Sequence, residues 1–388
     1  MADYFVDGLN GSDANSGTTT VLAWKSLGKA FAASGGISSG DSLYIRPFTY
    51  NTSFTIALAN PTSTTNIIGD ITGEKFGVTG DVVWSGILTS DTVAGLTPLN
   101  LGNRPFFNFK NITFITAGNV TAVVMGTATS TIFDKCIIQS SGGTGITLTI
   151  GANSRSNNIF NSCIVNAKTN GINVTRTNST TSQWDMDITV QNCFFIGRAF
   201  IFSNSGAGTF FASGGKFLNN TFFTPNDTIL ELPPTAGGAF TSLFYNNLFI
   251  QASQAFRPTT ATTVISCAGN FNKFAGCGNT NSLYSSGAND IGYNTLFGNA
   301  SINIGQSLLY QTQNSAFGLP YFTDLVVGRG TSSIPGITLP TTDILGNLRP
   351  NPPSIGAFEP GTAYRFPSSS GFVGGVRGWA SLRTTLST

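Results

Sequence analysis

Short apolar segments recur along the chain at nearly constant spacing. Six of them align residue by residue, and their first residues lie 24, 27, 30, 27 and 27 positions apart. They are "FKNITF" at 109, "FDKCII" at 133, "FNSCIV" at 160, "VQNCFF" at 190, "FLNNTF" at 217 and "FYNNLF" at 244. Related segments at 42 ("SLYIR"), 65 ("TNIIG") and 293 ("YNTLF") extend the series. Short β-type segments with a period of 24 to 30 residues predict a β-solenoid.

The alternation within each segment predicts which side chains point inward. The first residue points inward and the second outward, and the third is usually an asparagine, which tolerates the left-handed backbone of a sharp corner. The corner resets the alternation, so the fourth and sixth residues point inward again. We therefore expect the first residues to stack as an aromatic ladder with a spacing of about 4.8 Å. The ladder comprises Phe109, Phe133, Phe160, Phe217 and Phe244.

Three cysteines occupy the fourth position of successive segments. Cys136, Cys163 and Cys193 then fall in one inward column, as small apolar side chains at a tight corner. This interpretation makes them free thiols rather than a metal or redox site. The chain has five cysteines, an odd number, and none forms a CxxC pair.

The fifth position of each segment should point outward, yet it is often apolar. Four such residues, Ile137, Ile164, Phe194 and Leu248, form a predicted apolar stripe together with threonines 113 and 221. An exposed apolar stripe usually marks a contact with another protein. The alternative is that another part of the same chain covers it, and the sequence favours neither.

Both ends of the repeat resemble a known superfamily. "YFVDGLNGSDANSG", "AWKSLGKAF" and "GDSLYIRP" resemble the N-terminal cap and first coil of pectate-lyase-like right-handed parallel β-helix proteins, and "DILGNLRPNPPSIGAFEPG" at 343–361 is similar to their terminal element. The resemblance implies an all-β, single-stranded right-handed parallel β-helix of about a dozen coils. We expect a cap at 1–40, the β-helix at 41–360 and a C-terminal arm or second cap at 361–388.

The predicted cap includes a short amphipathic helix within residues 20–33. Its apolar side chains, Leu22, Leu27, Ala30 and Phe31, would close the first coil.

Charge and composition narrow the class of partner. Charged residues make up 9% of the chain and the net charge is +2, which favours neither nucleic acid nor an anionic membrane. The N-terminal residues lack the pattern of a secretory signal, and no apolar run is long enough for a membrane helix. We therefore expect a protein made in a host cytoplasm with reduced thiols.

The sequence offers few residues for the chemistry typical of this superfamily. Its lyases place a basic residue beside acidic Ca²⁺ ligands, and hydrolases use paired carboxylates. Histidine is absent. Asp134 has no second carboxylate in the neighbouring coils, and Asp185 with Asp187 is expected to form a surface ion pair near Arg155.

Two further groups of charged residues are candidates for such chemistry. Asp227 and Glu231 could face one another across a loop, although turn chemistry is the favoured interpretation. Arg155, Arg176 and Arg198 are expected to have no acidic cluster beside them. We therefore predict no catalytic residue, no metal and no cofactor.

The resulting prediction is a non-enzymatic structural protein of a tailed-phage virion, with capsid decoration favoured over a spike or fibre. The expected partners are other virion proteins, the major capsid protein above all. A homo-oligomer, with a trimer favoured, is a possible assembly, and a glycan is a possible ligand. The alternatives are a polysaccharide lyase or glycoside hydrolase on the same fold, or a carbohydrate-binding adhesin. The interface candidates are Ile137, Ile164, Phe194, Leu248, Arg365, Phe366, Phe372, Arg377, Trp379 and Arg383.

Overall fold

The fold is a right-handed parallel β-helix, as predicted. A computed structural model describes residues 1–51, 53–87, 95–150, 156–176, 187–204, 211–224, 227–232, 239–250, 252, 254–258, 264–275, 277, 284–285 and 328–359. The chain divides near residue 175 into two compact units, here called the N-terminal unit and the C-terminal unit. In each unit the coils stack three parallel sheets, and a full coil gives one strand to each sheet.

The N-terminal unit holds strands β1 to β16. Its first sheet consists of β1 (Asp3–Val6), β2 (Ser42–Ile45), β5 (Thr65–Gly69), β8 (Phe107–Lys110), β11 (Ile132–Asp134) and β14 (Ile159–Asn161). Its second sheet consists of β3 (Phe48–Asn51), β6 (Val82–Ser85), β9 (Thr113–Thr116), β12 (Ile137–Ser140) and β15 (Ile164–Ala167). Its third sheet consists of β4 (Phe54–Thr55), β7 (Leu99–Asn100), β10 (Val123–Gly126), β13 (Ile146–Ile150) and β16 (Ile172–Arg176).

The C-terminal unit repeats this arrangement. Its first sheet consists of β17 (Thr189–Gln191), β20 (Phe211–Leu218), β23 (Ala239–Tyr245), β26 (Val264–Asn270) and β28 (Tyr284–Ser285). Its second sheet consists of β18 (Phe194–Ile196), β21 (Thr221–Phe223), β24 (Leu248–Ile250) and β27 (Lys273–Ala275). Its third sheet consists of β19 (Phe200–Asn204), β22 (Thr228–Leu232) and β25 (Gln254–Pro258). With six first-sheet strands in one unit and five in the other, the described coils are slightly fewer than the dozen expected.

The predicted aromatic ladder fills the interior beside the first sheet. Phe109, Phe133 and Phe160 are in register, and the ring centroids of successive pairs lie 5.2 Å and 5.5 Å apart. In the C-terminal unit, the rings of Phe217 and Phe244 stack at 4.5 Å. All five side chains are buried. Rings stacked at the strand spacing keep each coil in register with the next.

Left-handed residues make the corner between the first and second sheets. Asn111, Asn192, Asn219 and Asn246 have φ angles of 58°, 54°, 55° and 57°, as the sequence predicts. Lys135 and Ser162, each with a φ of 52°, and Phe271, with a φ of 58°, take the same position in three coils that lack asparagine there. The corner geometry thus belongs to the coil, and asparagine is the residue that adopts it at least cost.

The N-terminal cap differs from the prediction in one respect. The helix is only four residues long, α1 (Leu27–Ala30), with Ser26 as its N-cap. Leu27, Ala30 and Phe31 are buried as expected, but the prediction for Leu22 is wrong, because its side chain is 46% exposed. The segment before Ser26 is not helical because its main chain bonds to β1: the Trp24 amide donates to the Phe5 carbonyl. Among the described residues no helix is long and apolar enough to cross a membrane.

Candidate functional site

A cluster of charged side chains lies beside the third sheet of the C-terminal unit. Arg198 precedes β19, while Asp227 and Glu231 flank and occupy β22 in the next coil. The Nε and Nη2 atoms of Arg198 donate to Oδ1 of Asp227 at 3.2 Å and 2.9 Å. Its Nη1 lies 3.1 Å from Oε2 of Glu231. The expectation that Arg198 has no acidic partner is therefore wrong.

The error came from the length of one turn. Second-sheet residues repeat after 27 positions, as Phe194 and Thr221 do, whereas third-sheet residues repeat after 30, as Phe200 and Leu230 do. The turn between these sheets is thus three residues longer in the later coil. A single spacing of 27 cannot align Arg198 with Asp227, which follows it by 29 residues.

A hydrogen bond and burial fix the two carboxylates of this cluster. Asp227 also accepts a hydrogen bond from the Thr228 amide at 2.7 Å, which is the turn chemistry expected for this residue. Glu231 is 8% exposed, so its carboxylate depends on Arg198 to offset the cost of burial. Both carboxylates contact the one guanidinium, Asp227 through Oδ1 and Glu231 through Oε2.

The remaining acidic candidates do not form a second cluster among the described residues. Asp134 lies next to Asn161 in the register, as expected, and accepts a hydrogen bond from its Nδ2 at 2.7 Å. The ammonium of Lys110 lies 3.8 Å from Asp134. The expected ion pair of Asp185 and Asp187 with Arg155 cannot be followed, since Asp185 and Arg155 fall outside the described residues, as does the side chain of Arg176.

The cysteine column is buried, and its cysteines form no disulfide. Cys136, Cys163 and Cys193 are fully buried and unbridged. The Sγ of Cys136 donates to the carbonyl of Phe109 at 3.4 Å, and that of Cys163 donates to Phe133 at 3.2 Å. The thiols therefore bond weakly to the preceding coil as well as filling the corner. Within the described ranges, no three acidic or cysteine side chains come together as metal ligands.

The apolar stripe is buried rather than exposed. Ile137 and Ile164 are each 2% exposed, Phe194 is 1% exposed and Leu248 is fully buried. In the C-terminal unit the cover is visible. Residues 328–359, here called the strap, lie over the stripe, with the ring of Phe358 against that of Phe194 at 5.8 Å. For Phe194 and Leu248 the structure thus favours the alternative in which the same chain covers the stripe.

The strap is fastened to the corner residues of the coils. Asn192 donates to the carbonyl of Thr342 at 2.7 Å, and Asn246 exchanges two hydrogen bonds of 2.8 Å with the main chain of Thr331. The amide of Ala357 donates to Oγ1 of Thr221 at 3.0 Å. Corner asparagines therefore have a second role that the repeat pattern did not reveal.

A buried ion pair stabilises the strap. The guanidinium of Arg349 lies 2.6 Å from the carboxylate of Glu359, and their side chains are 3% and 5% exposed. The same guanidinium donates to Oδ1 of Asn192 at 2.9 Å, across 157 residues of sequence. Burial lowers the pKa of Arg349, and the carboxylate of Glu359 counteracts part of that effect. Arg349 thus joins the strap to itself and to the coil.

The other interface candidates lie in the C-terminal arm. All six fall outside the described residues, so their proposed role stays a prediction: Arg365, Phe366, Phe372, Arg377, Trp379 and Arg383.

Comparison with known proteins supports the fold. No protein-family model matches the sequence, and no curated protein does. Among solved structures, the chain is similar to pectate lyase Pel9A, with 13% identity over 93% of this chain and 97% of that one and a TM-score of 0.50. A pectin methylesterase from Aspergillus niger (13% identity; 79% and 94% covered; TM-score 0.39) and a glycoside hydrolase (9%; 75% and 96%; 0.44) are more distant. At such identities the likeness to Pel9A identifies a pectate-lyase-like β-helix and assigns no residue a role.

Proposed function

We propose that this chain is a non-enzymatic structural protein of a tailed-phage particle, acting as capsid decoration rather than as a spike or fibre. One observation carries the non-enzymatic part of the proposal. The described carboxylates that stand nearest to a catalytic arrangement, Asp227 and Glu231, are bound by Arg198. They form an ion-pair cluster that links two coils, in which the side chain of Glu231 is 11% exposed and that of Asp227 is 39% exposed.

A proton-transfer role would need groups that this cluster ties up. An acid and base pair acts through carboxylate oxygens that can reach a substrate. Here the Oδ1 of Asp227 accepts from Arg198 and from the Thr228 amide, and Glu231 is largely buried.

The assignment to a phage particle rests on the sequence. The features that support it are the low charge and the odd number of cysteines, which favour an intracellularly made component of a larger assembly. The proposed partner is the major capsid protein, and the proposed attachment is the arm at 361–388, through its arginine and aromatic residues.

A second candidate function is polysaccharide cleavage. The observation that favours it is the same cluster, because a basic residue beside two acidic ones is the combination that β-helix lyases use. The names of the similar structures, a pectate lyase, a pectin methylesterase and a glycoside hydrolase, denote enzymes that act on carbohydrates. Opening of the ion pairs on substrate binding would be required to free the groups.

A cleavage assay distinguishes the two functions. Purified protein is incubated with a panel of neutral and uronate-containing polysaccharides, with and without Ca²⁺. Absorbance near 235 nm reports elimination, and new reducing ends report hydrolysis. We expect no product above the blank. The matched variants are Arg198→Met and, as a control, Lys216→Met, whose half-buried lysine lies on the first sheet. Cleavage by wild type and by the control, lost in Arg198→Met, would refute the structural proposal.

A further inference from the structure

The turn at residues 7–11 belongs to the N-terminal cap and contains an asparagine–glycine pair. Asn10 precedes Gly11, and the sequence has one further pair of this kind, Asn170 with Gly171. Asparagine deamidates most readily before glycine, because glycine has no side chain to keep its amide nitrogen away from the asparagine side chain. Both pairs are therefore chemically susceptible to this modification.

The packing of the cap requires glycine at residue 11. A Cβ atom there would collide with the carbonyl oxygen of Trp24. The same carbonyl accepts from the Asp7 amide at 2.8 Å, and the Ser12 amide donates to the carbonyl of Ala23 at 3.1 Å. The turn thus lies directly against the chain before α1, and this close approach places glycine immediately after Asn10.

In the closed turn, hydrogen bonds occupy both of the groups that would react. The Gly11 amide, which is the nucleophile of deamidation, donates to the carbonyl of Asp7 at 2.8 Å. The Nδ2 of Asn10 donates to Oδ2 of Asp7 at 3.3 Å, and the Asn10 amide donates to Oδ1 at 2.9 Å. Arg46 fixes this carboxylate, with its Nη1 at 3.0 Å and 2.9 Å from the two oxygens. Asn10 is exposed, so hydrogen bonding rather than burial protects it.

We propose that Asn10 is a deamidation site that reacts only when this turn opens, and that its product keeps the turn from closing again. In the open turn the Gly11 nitrogen attacks Cγ of Asn10 and forms a new C–N bond. The proton of the Gly11 amide is transferred through water to Nδ2, which leaves as ammonia. Water then opens the succinimide at either carbonyl and leaves aspartate or isoaspartate at residue 10. Because a surface turn opens without global unfolding, the rate depends on the stability of the cap.

Both products conflict with the closed turn. A carboxylate at residue 10 would face that of Asp7 where Nδ2 now donates, which replaces a hydrogen bond by repulsion between like charges. Isoaspartate also adds one methylene group to the main chain directly before Gly11, where an extra carbon already collides with Trp24. Deamidation is thus a one-way release of the cap.

The first test compares the deamidation rates of Asn10 and Asn170 by peptide mass spectrometry of the full chain. Asn170 is the internal control, because its side chain is buried in a turn of the β-helix. In the folded wild type, Asn10 should react at least about tenfold more slowly than in urea, since the closed turn is unreactive. Asp7→Ser removes the carboxylate that holds Asn10 and should accelerate the reaction at Asn10, but not at Asn170, by at least about tenfold. Asp3→Ser removes the same charge from an exposed position of β1 and should change neither rate.

The second test measures the effect of the product on the cap. Asn10→Asp introduces the carboxylate directly. Amide exchange at Asp7, Ser12 and Trp24, whose amides bond within the cap, should accelerate at least about tenfold, while amides of the later coils keep their protection. Asn119→Asp makes the same change at an exposed position of the N-terminal unit and should leave the cap amides unchanged.

Three outcomes would overturn the proposal. They are equal rates at Asn10 in the folded and the urea-unfolded chain, equal effects of Asp7→Ser and Asp3→Ser, or cap amides that stay as protected in Asn10→Asp as in wild type. If Asp7→Ser unfolds the whole chain, Asn170 reacts as well. The wild-type rates and the exchange of Asn10→Asp then decide the question.

Discussion

One column of the β-helix shows how cysteine and asparagine serve the same corner. The position after the left-handed residue holds cysteine at Cys136 and Cys163 and asparagine in later coils, at Asn220, Asn247 and Asn272. Each asparagine donates from Nδ2 to a carbonyl of the preceding coil, as the thiols do more weakly. Each also accepts through Oδ1 from the preceding coil's main chain. Cysteine is too poor an acceptor to match that second bond.

The inward direction of this column was predictable, because the alternation within the segments determines it. The hydrogen bonds were not predictable from apolar periodicity, which treats cysteine and asparagine only as small residues that fit.

The asparagine column should be a main source of stability in the C-terminal unit. Asn247 bonds to the Phe217 carbonyl at 2.8 Å and accepts from the amide of Asn220 at 3.0 Å. Asn247→Ala leaves both buried groups unsatisfied, and the expected loss is about 3 kcal/mol or more. Asn66→Ala removes one hydrogen bond at a half-buried position and should cost under about 1 kcal/mol. Calorimetric unfolding of both variants measures the difference. Equal losses would contradict a special role for the column.

At the scale of elements, the strap explains why Phe194 and Leu248 of the apolar stripe are buried. Sequence similarity marked "IGAFE" as a terminal element, and the outward positions of Phe194 and Leu248 were clear from the alternation. The contact between the strap and the coils was not predictable, because Arg349 bonds to Asn192 across 157 residues of sequence with no periodic relation. The strap shields apolar side chains that would otherwise be an exposed surface.

Arg349 should determine whether the strap stays packed on the coils. Arg349→Met leaves the carboxylate of Glu359 buried without its cation and removes the bond to Asn192, a change that typically costs about 3–5 kcal/mol. We expect limited proteolysis within the strap to accelerate at least tenfold, with increased binding of an apolar dye. Arg329→Met is the matched control, because Arg329 is an exposed strap residue. Unchanged proteolysis in Arg349→Met, or equal acceleration in the control, would contradict this role.

At the scale of the whole molecule, the repeat predicted the class of fold more reliably than any site. A period of 24 to 30 residues survives turns of different length, since strands of one sheet still stack on their equivalents. Charged residues in the turns do not follow the period, and so the meeting of Arg198 with Asp227 was missed.

The central claim is that the chain is a structural component of a phage particle. The most direct measurement is quantitative mass spectrometry of phage particles purified from the source of this chain, with the major capsid protein as the internal standard. Capsid decoration predicts a fixed and high copy number relative to that standard, retained after the tails are removed. Absence of the chain from intact particles would contradict the claim.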